Sequence, residues 1–291
     1  MTWLFVAAGF AAGALAGLGL AVVEFGAWAL VSPRRPSGPA PSGSSETVRA
    51  RGGDGVALAG RWIAAERPSG RVAVLIHGFG DGPGAMVLDR APAILARGWN
   101  VATIDLRGYG ESEGPYSTLG PREADDLRAW LDVLAGLVPP GEPFAPILWG
   151  RSMGAAIALR AGVADGRVRA LVLEAPMVDL RTSLETVLRR KRLPMASALA
   201  WLILRRGGRI AGVAPARPGM LELAPRFDRP AVVVHGSDDD LIPSAAAREL
   251  AESFPTPAAF LEVPGARHAD VARIGGPALL ERMTAFLDSV D

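Results

Sequence analysis

The 291-residue sequence contains no cysteine and only three histidines. The absence of cysteine excludes a thiol nucleophile, a disulfide framework and cysteine-based metal sites, and it leaves the redox compartment undecided. His77, His235 and His268 lie too far apart in the chain for their spacing to indicate a metal site. The sequence therefore predicts neither a bound metal nor a cofactor.

The sequence also lacks an excess of charge of one sign, because its formal net charge is +1. Nothing in this balance indicates a nucleic acid or a strongly acidic partner. Hydrophobic residues make up 49% of the chain, which is enough for one large domain with a substantial core and an additional segment.

The N-terminal region lacks charged residues from position 2 to position 23, and its apolar character resumes after Glu24. A run of this length can span a bilayer as a helix, so we expect residues 1–31 to form a transmembrane anchor. The proline-, glycine- and serine-rich residues 32–46 that follow are typical of a solvated tether. Arg34 and Arg35 directly follow the span, which favours the cytoplasmic face for the rest of the chain.

A cleaved signal peptide is the alternative interpretation of this region. Ala27, Trp28 and Ala29 would form a suitable cleavage site of the small-x-small kind. However, no lysine or arginine precedes the apolar run, which is also long for a signal peptide. An uncleaved anchor is therefore the preferred prediction.

Residues 47–291 alternate between short apolar runs and helical patterns. The continuous apolar run at residues 72–76 is typical of a strand that is buried on both faces. The alternation predicts an α/β domain with a mainly parallel sheet that is covered by helices on both faces. In such sheets, functional residues lie at the carboxyl ends of the strands.

A Gly-x-Ser-x-Gly motif with Ser152 at its centre follows the apolar run at residues 147–149 and precedes a helical pattern. This context predicts a strand, a sharp turn and a helix, with the serine hydroxyl exposed on the turn. Side chains at Gly150 and Gly154 would collide with neighbouring elements in such a turn. Ser152 is therefore the candidate nucleophile.

A serine nucleophile needs a base, and histidine is the side chain suited to that role near neutral pH. His268 follows the last predicted strand on a loop that begins with Gly265, so it can approach Ser152. His77 and His235 each precede a glycine at a strand end. We predict that these two histidines are packing residues with locally bonded rings.

Five motifs at predicted strand ends resemble those of α/β-hydrolase-fold serine hydrolases, in the order found in that family. They are His77-Gly78-Phe79-Gly80, Asp105-x-Arg107-Gly108-x-Gly110-x-Ser112, Gly150-x-Ser152-x-Gly154, His235-Gly236-x-x-Asp239-x-x-Ile242-Pro243 and Gly265-x-x-His268. The resemblance covers residues 47–291 and implies a membrane-anchored member of the esterase or lipase kind.

The resemblance selects Asp239 as the carboxylate that orients His268, with Asp238 as the second choice. Asp238 and Asp240 are otherwise expected to be solvated and to cap the following helix. The backbone N–H groups of Phe79 and Met153 are the implied oxyanion hole, the latter from the start of the helix after the nucleophile. Asp105 and Arg107 resemble a family element that we interpret as structural.

A helical cap, common in this family, is expected at about residues 177–228. It contains a basic run at residues 189–192, an apolar stretch at residues 195–204 that includes Trp201, and then Arg205, Arg206 and Arg209. One interpretation is a solvated basic helix face that packs on the body of the domain. The other is a lid that meets lipid with its apolar residues and anionic headgroups with its basic ones.

These features predict a serine hydrolase that forms an acyl-enzyme on Ser152, with His268 as base and Asp239 orienting it. The substrate would be an ester, thioester or amide of a small molecule or lipid. An acyltransferase with the same triad is one alternative, and a catalytically inactive, membrane-tethered binding protein is another. The complete set of three residues argues against the inactive protein.

Overall fold

The computed structural model describes residues 2–32, 45–67, 69–82, 84–214 and 217–290. Its strands are β1 (Glu46–Arg51), β2 (Ala57–Ile63), β3 (Arg71–Ile76), β4 (Asn100–Ile104), β5 (Ala145–Arg151), β6 (Ala170–Glu174), β7 (Ala231–Gly236) and β8 (Ala259–Val263). The helices are α1 (Thr2–Val31), α2 (Gly84–Ala96), α3 (Pro121–Ala135), α4 (Met153–Ala164), α5 (Leu180–Arg190), α6 (Ala196–Ala211), α7 (Met220–Leu223), α8 (Ser244–Glu252) and α9 (Val271–Ala285). Two short 3₁₀ turns follow α7 and α9.

One eight-stranded sheet in the order β1-β2-β4-β3-β5-β6-β7-β8 forms the centre of the molecule. β1, β2 and β4 pair antiparallel, whereas every pairing from β4 to β8 is parallel. This arrangement confirms the predicted α/β-hydrolase fold. Because parallel strands all end at one edge, the loops after β3, β5, β7 and β8 meet there.

Helices cover both faces of the sheet, as its apolar strands require. On one face, Leu127 of α3, Ile157 of α4 and Leu250 of α8 belong to one buried cluster. On the other face, Ile94 of α2 and Met283 of α9 belong to a second cluster. The central strands are therefore buried on both sides, and their carboxyl ends are held rigidly.

The last helix begins earlier than the sequence predicts. Pro277 suggests a helix start, but α9 already begins at Val271. Gly276 has φ 56° and ψ −158°, which breaks the helix into two pieces before Pro277. Pro277 therefore begins the second piece of α9. The first piece lies directly after the loop with His268.

No helix in the described part of the chain is both long enough and apolar enough to cross a membrane. The transmembrane anchor predicted for residues 1–31 is therefore not supported, although those residues after Met1 form helix α1. Most of the predicted tether, residues 33–44, lies outside the described residues. Glu46 at its end belongs to β1.

The C-terminal part of α1 packs against the cap. Val23 and Ala27 are buried, and a Cβ at Gly26 would lie 2.8 Å from Cδ1 of Ile203 in α6. Glu24 accepts a hydrogen bond from Nε of Arg206 at 2.7 Å. The two helices thus approach each other closely, and part of the predicted anchor is packed against the domain.

The cap lies between β6 and β7, within the range predicted for it, and consists of α5, α6, α7 and the 3₁₀ turn after α7. The N-terminus of α5 is capped by Asp179, whose carboxylate accepts the N–H of Thr182 at 2.6 Å. Together with α1, this part of the chain has its own small apolar cluster. We call this the cap cluster, consisting of Val23, Leu188, Ala196, Ala200 and Ile203.

The basic run of the cap is partly paired with carboxylates. Arg189 forms an ion pair with Glu185 within α5, and Arg190 lies 2.5 Å from Oδ2 of Asp240 on the body of the domain. Met195 and Trp201 are exposed to 77% and 47%. The cap therefore packs on the body through its basic run and presents apolar side chains outward, while contact of these side chains with lipid stays a prediction.

Candidate active site

Ser152 stands on the turn between β5 and α4 with φ 52° and ψ −113°, a backbone conformation that side chains rarely adopt. The turn is tight enough that a Cβ at Gly150 would lie 2.2 Å from the carbonyl oxygen of Gly154. A Cβ at Gly154 would lie equally close, at 2.2 Å, to the carbonyl oxygen of Ile76. Both predicted collisions are confirmed, so the turn needs these two glycines.

The structure brings Ser152 and His268 into hydrogen-bond contact. Oγ of Ser152 lies 2.9 Å from Nε2 of His268, although 116 positions separate the two residues. His268 stands on the loop after β8, and Ser152 follows β5. Both side chains are half-buried, so the pair is open to a substrate.

Asp239 holds the other side of the imidazole. Its Oδ2 lies 2.7 Å from Nδ1 of His268, and its Oδ1 accepts the N–H groups of Leu241 and Ile242, both at 2.8 Å. An ionised carboxylate only accepts, so Nδ1 carries the proton and Nε2 is free to accept from Ser152. This is the tautomer that a general base requires.

The Asp239 carboxyl is held in its ionised form. Burial alone would raise its pKa, but the hydrogen bond and charge of His268 and the two backbone N–H donors outweigh this effect. The net result is a pKa below the ordinary value of 3.8. The negative charge beside His268 therefore persists at neutral pH.

The neighbouring carboxylates face elsewhere. Asp238 accepts a hydrogen bond from Oγ of Ser237 at 2.7 Å, and Asp240 pairs with Arg190. No side-chain hydrogen bond caps α8, whose first flanking residue is Pro243. The prediction that Asp238 and Asp240 cap α8 is therefore wrong. The carboxylate of Asp240 instead forms an ion pair with Arg190 of α5.

His77 and His235 are fully buried and bonded locally, as predicted. His77 contacts the carbonyl oxygen of Gly78 at 2.9 Å through Nδ1, while Nε2 accepts the N–H of Leu106. Nε2 of His235 contacts the carbonyl oxygen of Ile242 at 3.0 Å. It also lies 3.2 Å from Asp239, so His235 supports the carboxylate from behind. Burial lowers the pKa of both rings, which therefore stay neutral.

The residues predicted for the oxyanion hole flank the nucleophile. Met153 is the first residue of α4, and Phe79 lies in the loop after β3. A Cβ at Gly78 would lie 3.3 Å from Cβ of Ser152, so the loop passes beside the nucleophile with little room for a side chain at position 78. The loop is thus close enough to present an N–H group to a substrate bound at Ser152.

Arg151 connects two loops of the site, a role that the sequence alone does not reveal. Its Nη1 lies 3.0 Å from Oδ2 of Asp81, and its Nη2 donates to the carbonyl oxygen of Ala269 at 3.2 Å. Asp81 follows the loop with Phe79, and Ala269 follows His268. One guanidinium therefore ties two loops of the site together. Its position directly before Ser152 is the only signal in the sequence.

A buried ion pair lies behind the nucleophile. Nε and Nη2 of Arg90 donate to the carboxylate of Glu174 at 3.1 and 2.5 Å. The backbone N–H of Ser152 donates to the carbonyl oxygen of Glu174 at 2.9 Å. Burial raises the pKa of Glu174, but the charge and hydrogen bonds of Arg90 hold it below its ordinary value. In the sequence, this buried ion pair is indicated only by Glu174, a charged residue at the end of an apolar strand.

Asp105 and Arg107 have the structural role that was predicted for them. Arg107 donates to both oxygens of Asp126 at 2.7 and 2.6 Å and to Asp54 at 2.8 Å. Asp105 accepts the N–H of Glu111 at 2.7 Å. These contacts tie loops of the domain together. Within the residues described, no three histidine, aspartate or glutamate side chains are grouped as metal ligands.

Comparison with known proteins places this geometry in a family. Residues 67–212 match the model of the serine aminopeptidase S33 hydrolases. An uncharacterised protein of Mycobacterium tuberculosis is 30% identical over 263 residues, which cover 86% of this chain and 84% of the relative. The chain belongs to the S33 hydrolase family.

Other similarities agree with this assignment. A monoacylglycerol lipase of Mycolicibacterium smegmatis is 28% identical to this S33 hydrolase and matches 71% of the chain and 84% of the relative. An esterase structure of Pyrococcus furiosus superposes with a TM-score of 0.73 at 21% identity and covers 90% of this chain and 98% of the esterase. The prediction of an α/β-hydrolase enzyme of the carboxylesterase or lipase kind is confirmed.

Proposed function

We propose that this S33 hydrolase cleaves a carboxylic ester through an acyl-enzyme on Ser152. The observation that supports this most is the 2.9 Å contact between Oγ of Ser152 and Nε2 of His268. In the first step His268 accepts the hydroxyl proton while Oγ attacks the ester carbonyl carbon. Asp239, 2.7 Å from Nδ1, stabilises the imidazolium that forms.

The carbonyl oxygen becomes negatively charged when Oγ attacks. The N–H groups of Met153 and Phe79 are proposed to donate to this oxygen, which replaces water by fixed donors. Met153 also starts α4, so the positive end of the helix dipole points toward the developing charge. Arg151 is proposed to keep the Phe79 loop and the His268 loop in register during this step.

Collapse of the intermediate breaks the bond to the alcohol, which leaves with the proton held by His268. A water molecule then attacks the acyl carbon after giving a proton to Nε2. The second collapse returns that proton to Oγ of Ser152 and releases the carboxylic acid. The first half-reaction leaves Ser152 acylated, and only the complete cycle returns Ser152, His268 and Asp239 to their starting state.

The proposed substrate is a small-molecule or lipid acyl ester. The names of two relatives support this choice, since the monoacylglycerol lipase and a putative monoglyceride lipase of Schizosaccharomyces pombe are ester hydrolases by name. The S. pombe protein is 26% identical over 66% of this chain. A cavity with apolar walls under the cap provides space for an acyl chain.

The test uses the purified full chain with a fluorophosphonate probe and a series of activated esters of increasing chain length. We expect covalent labelling of Ser152 and ester hydrolysis, both absent in Ser152→Ala. Absence of labelling and hydrolysis in the wild type would instead support an inactive binding protein. Transfer of the acyl group to an added alcohol in place of water would identify an acyltransferase.

A further inference from the structure

A cavity of about 540 Å³ lies under the cap, beside the nucleophile but outside the triad. Ala156, one turn further along α4 than Ser152, and Met177 both line it, so the cavity lies next to the turn that carries the nucleophile. The N–H of Met177 donates to the carbonyl oxygen of Ser152 at 3.2 Å. The volume lies in the range of cavities that hold small-molecule ligands.

The floor of this cavity is apolar. Five buried side chains line it, namely Leu119, Val178, Leu204, Met220 and Leu223. Apolar walls favour an alkyl or acyl chain. They also strengthen the interaction of any charged group within the cavity, because they lower the local dielectric constant.

The charged side chains of the cavity are mainly positive. Four arginines (Arg160, Arg181, Arg205 and Arg217) line it together with two carboxylates, Asp179 and Glu222. Both carboxylates have other partners: Asp179 caps α5, and Glu222 lies 3.7 Å from Arg217. Within the described residues, the other three arginines have no carboxylate within ion-pair distance.

Those three arginines are held in place by neutral partners. Arg160 is half-buried and donates to the carbonyl oxygen of Pro218 at 2.6 Å. Arg181 donates to Oγ of Ser197 at 3.4 Å, and the guanidinium carbon of Arg205 lies 5.3 Å from the centre of the Trp201 ring. Burial lowers the pKa of Arg160, and the charge of Asp125 only partly offsets this effect. An anion in the cavity would relieve the same desolvation.

We propose that this cavity binds a carboxylate or a similar anionic group of the substrate, with Arg160, Arg181 and Arg205 as its partners. The proposal deepens the proposed ester hydrolysis and rests on it, since it names the substrate class as acidic esters. Guanidinium groups match carboxylates in geometry and in charge. Arg160 lies eight residues beyond Ser152 on one helix, which places it roughly 12 Å along the axis. The acid group and the ester would be separated by a comparable distance.

The first experiment compares p-nitrophenyl esters of dicarboxylic acids, from butanedioic to dodecanedioic acid, with their neutral methyl-capped counterparts. In the wild type we expect kcat/KM to favour the acidic ester by about tenfold at one chain length. In Arg181→Gln/Arg205→Gln this preference should disappear, because KM for the acidic ester should rise to the value for the neutral ester. Arg209→Gln, also exposed on α6 but outside the cavity, is the matched control.

The second experiment measures binding without turnover. Ser152→Ala is titrated with methyl hydrogen decanedioate and with dimethyl decanedioate in a calorimeter. We expect tighter binding of the acidic ester by about tenfold, lost when Arg181→Gln/Arg205→Gln is added and retained with Arg209→Gln. Equal binding of the two esters, or a preference that survives the double substitution, would overturn the proposal. Lack of ester hydrolysis by the wild type would overturn the proposed function alone, since this titration needs no turnover.

Discussion

The edge of the sheet with the triad and the region where α1 meets the cap are built in different ways. At the sheet edge, short directional contacts join Ser152, His268 and Asp239, and three loops converge on one point. In the cap cluster, side chains of α1, α5 and α6 pack through apolar contacts, beside which Glu24 of α1 accepts a hydrogen bond from Arg206 of α6. The triad geometry therefore follows from short sequence motifs at strand ends. The packing of α1 against the cap depends instead on the combined burial of many side chains.

The largest effect should come from removing the nucleophile at the sheet edge. Ser152→Ala is expected to lower kcat for an activated ester by about 10⁴- to 10⁶-fold, because no acyl-enzyme can form. The thermal midpoint should change little, since only a hydroxyl is lost. Ser253→Ala, at the end of α8, serves as the control. Near wild-type turnover by the Ser152 variant would show that another group is the nucleophile.

The three neighbouring carboxylates after β7 allow a sharper test of the same edge. Asp239→Asn should lower kcat by about 10⁴-fold, because an amide no longer holds Nδ1 of His268 as the proton donor. Asp238→Asn should have almost no effect, and Asp240→Asn should lose only the contact with Arg190. Steady-state turnover of the three variants decides between them. Similar modest losses in all three would contradict the assignment of Asp239.

Substitutions in the cap cluster should lower the stability of this region and leave the reactivity of the triad unchanged. Ala27→Glu places a charge at a fully buried position of α1. This change is expected to destabilise the packing of α1 against the cap by about 2–4 kcal/mol. Ala21→Glu adds the same charge at an exposed position of the same helix and is the matched control.

Amide hydrogen exchange measures the effect of both substitutions. The backbone amides of α1 and α6 should lose protection from exchange in Ala27→Glu but not in Ala21→Glu. The triad should still react with a fluorophosphonate in both variants. Equal protection in the two variants would show that α1 and the cap do not depend on each other. A chain that starts near Ser45 would expose the same buried surface of α6.

The smallest effect concerns the buried histidines behind the triad. Burial holds the pKa of His235 below 6.5, so the unfolded chain binds a proton that the folded protein resists. The free energy of unfolding should therefore fall as pH drops below about 6.5.

His235→Gln keeps a donor near Ile242 but cannot titrate. Thermal melts between pH 7.5 and 5.5 should show a shallower loss of stability for this variant than for the wild type, even if its midpoint at pH 7.5 is lower. An identical pH slope would show that another group dominates this range.

Much of the fold could be predicted because buried parallel strands are short apolar runs. The predicted buried strand at residues 72–76 coincides with β3 apart from Arg71 at its start. The site could be placed because its residues stand at strand ends next to glycines. Selecting Asp239 among three consecutive aspartates needed the spacing of a family motif, and the structure shows why only Asp239 faces His268.

The environment of the N-terminal helix could not be predicted, because an apolar run suits lipid and protein equally well. Glu24 finds its partner Arg206 at a distance of 182 positions, which no local pattern reveals. The contact between Arg151 and Asp81 depends likewise on loops that only the folded sheet brings together. The cytoplasmic placement stays a prediction that depended on a membrane span.

The contact between Arg190 and Asp240 makes the attachment of α5 to the body of the domain dependent on the salt concentration. Any movement of α5 away from the body must break this pair, whose side chains are 42% and 51% exposed. An exposed pair contributes only about 0–1 kcal/mol and is screened by ions. A rise in ionic strength is therefore expected to weaken the attachment of α5 at the residue next to Asp239, while the less exposed contacts among Ser152, His268 and Asp239 change little.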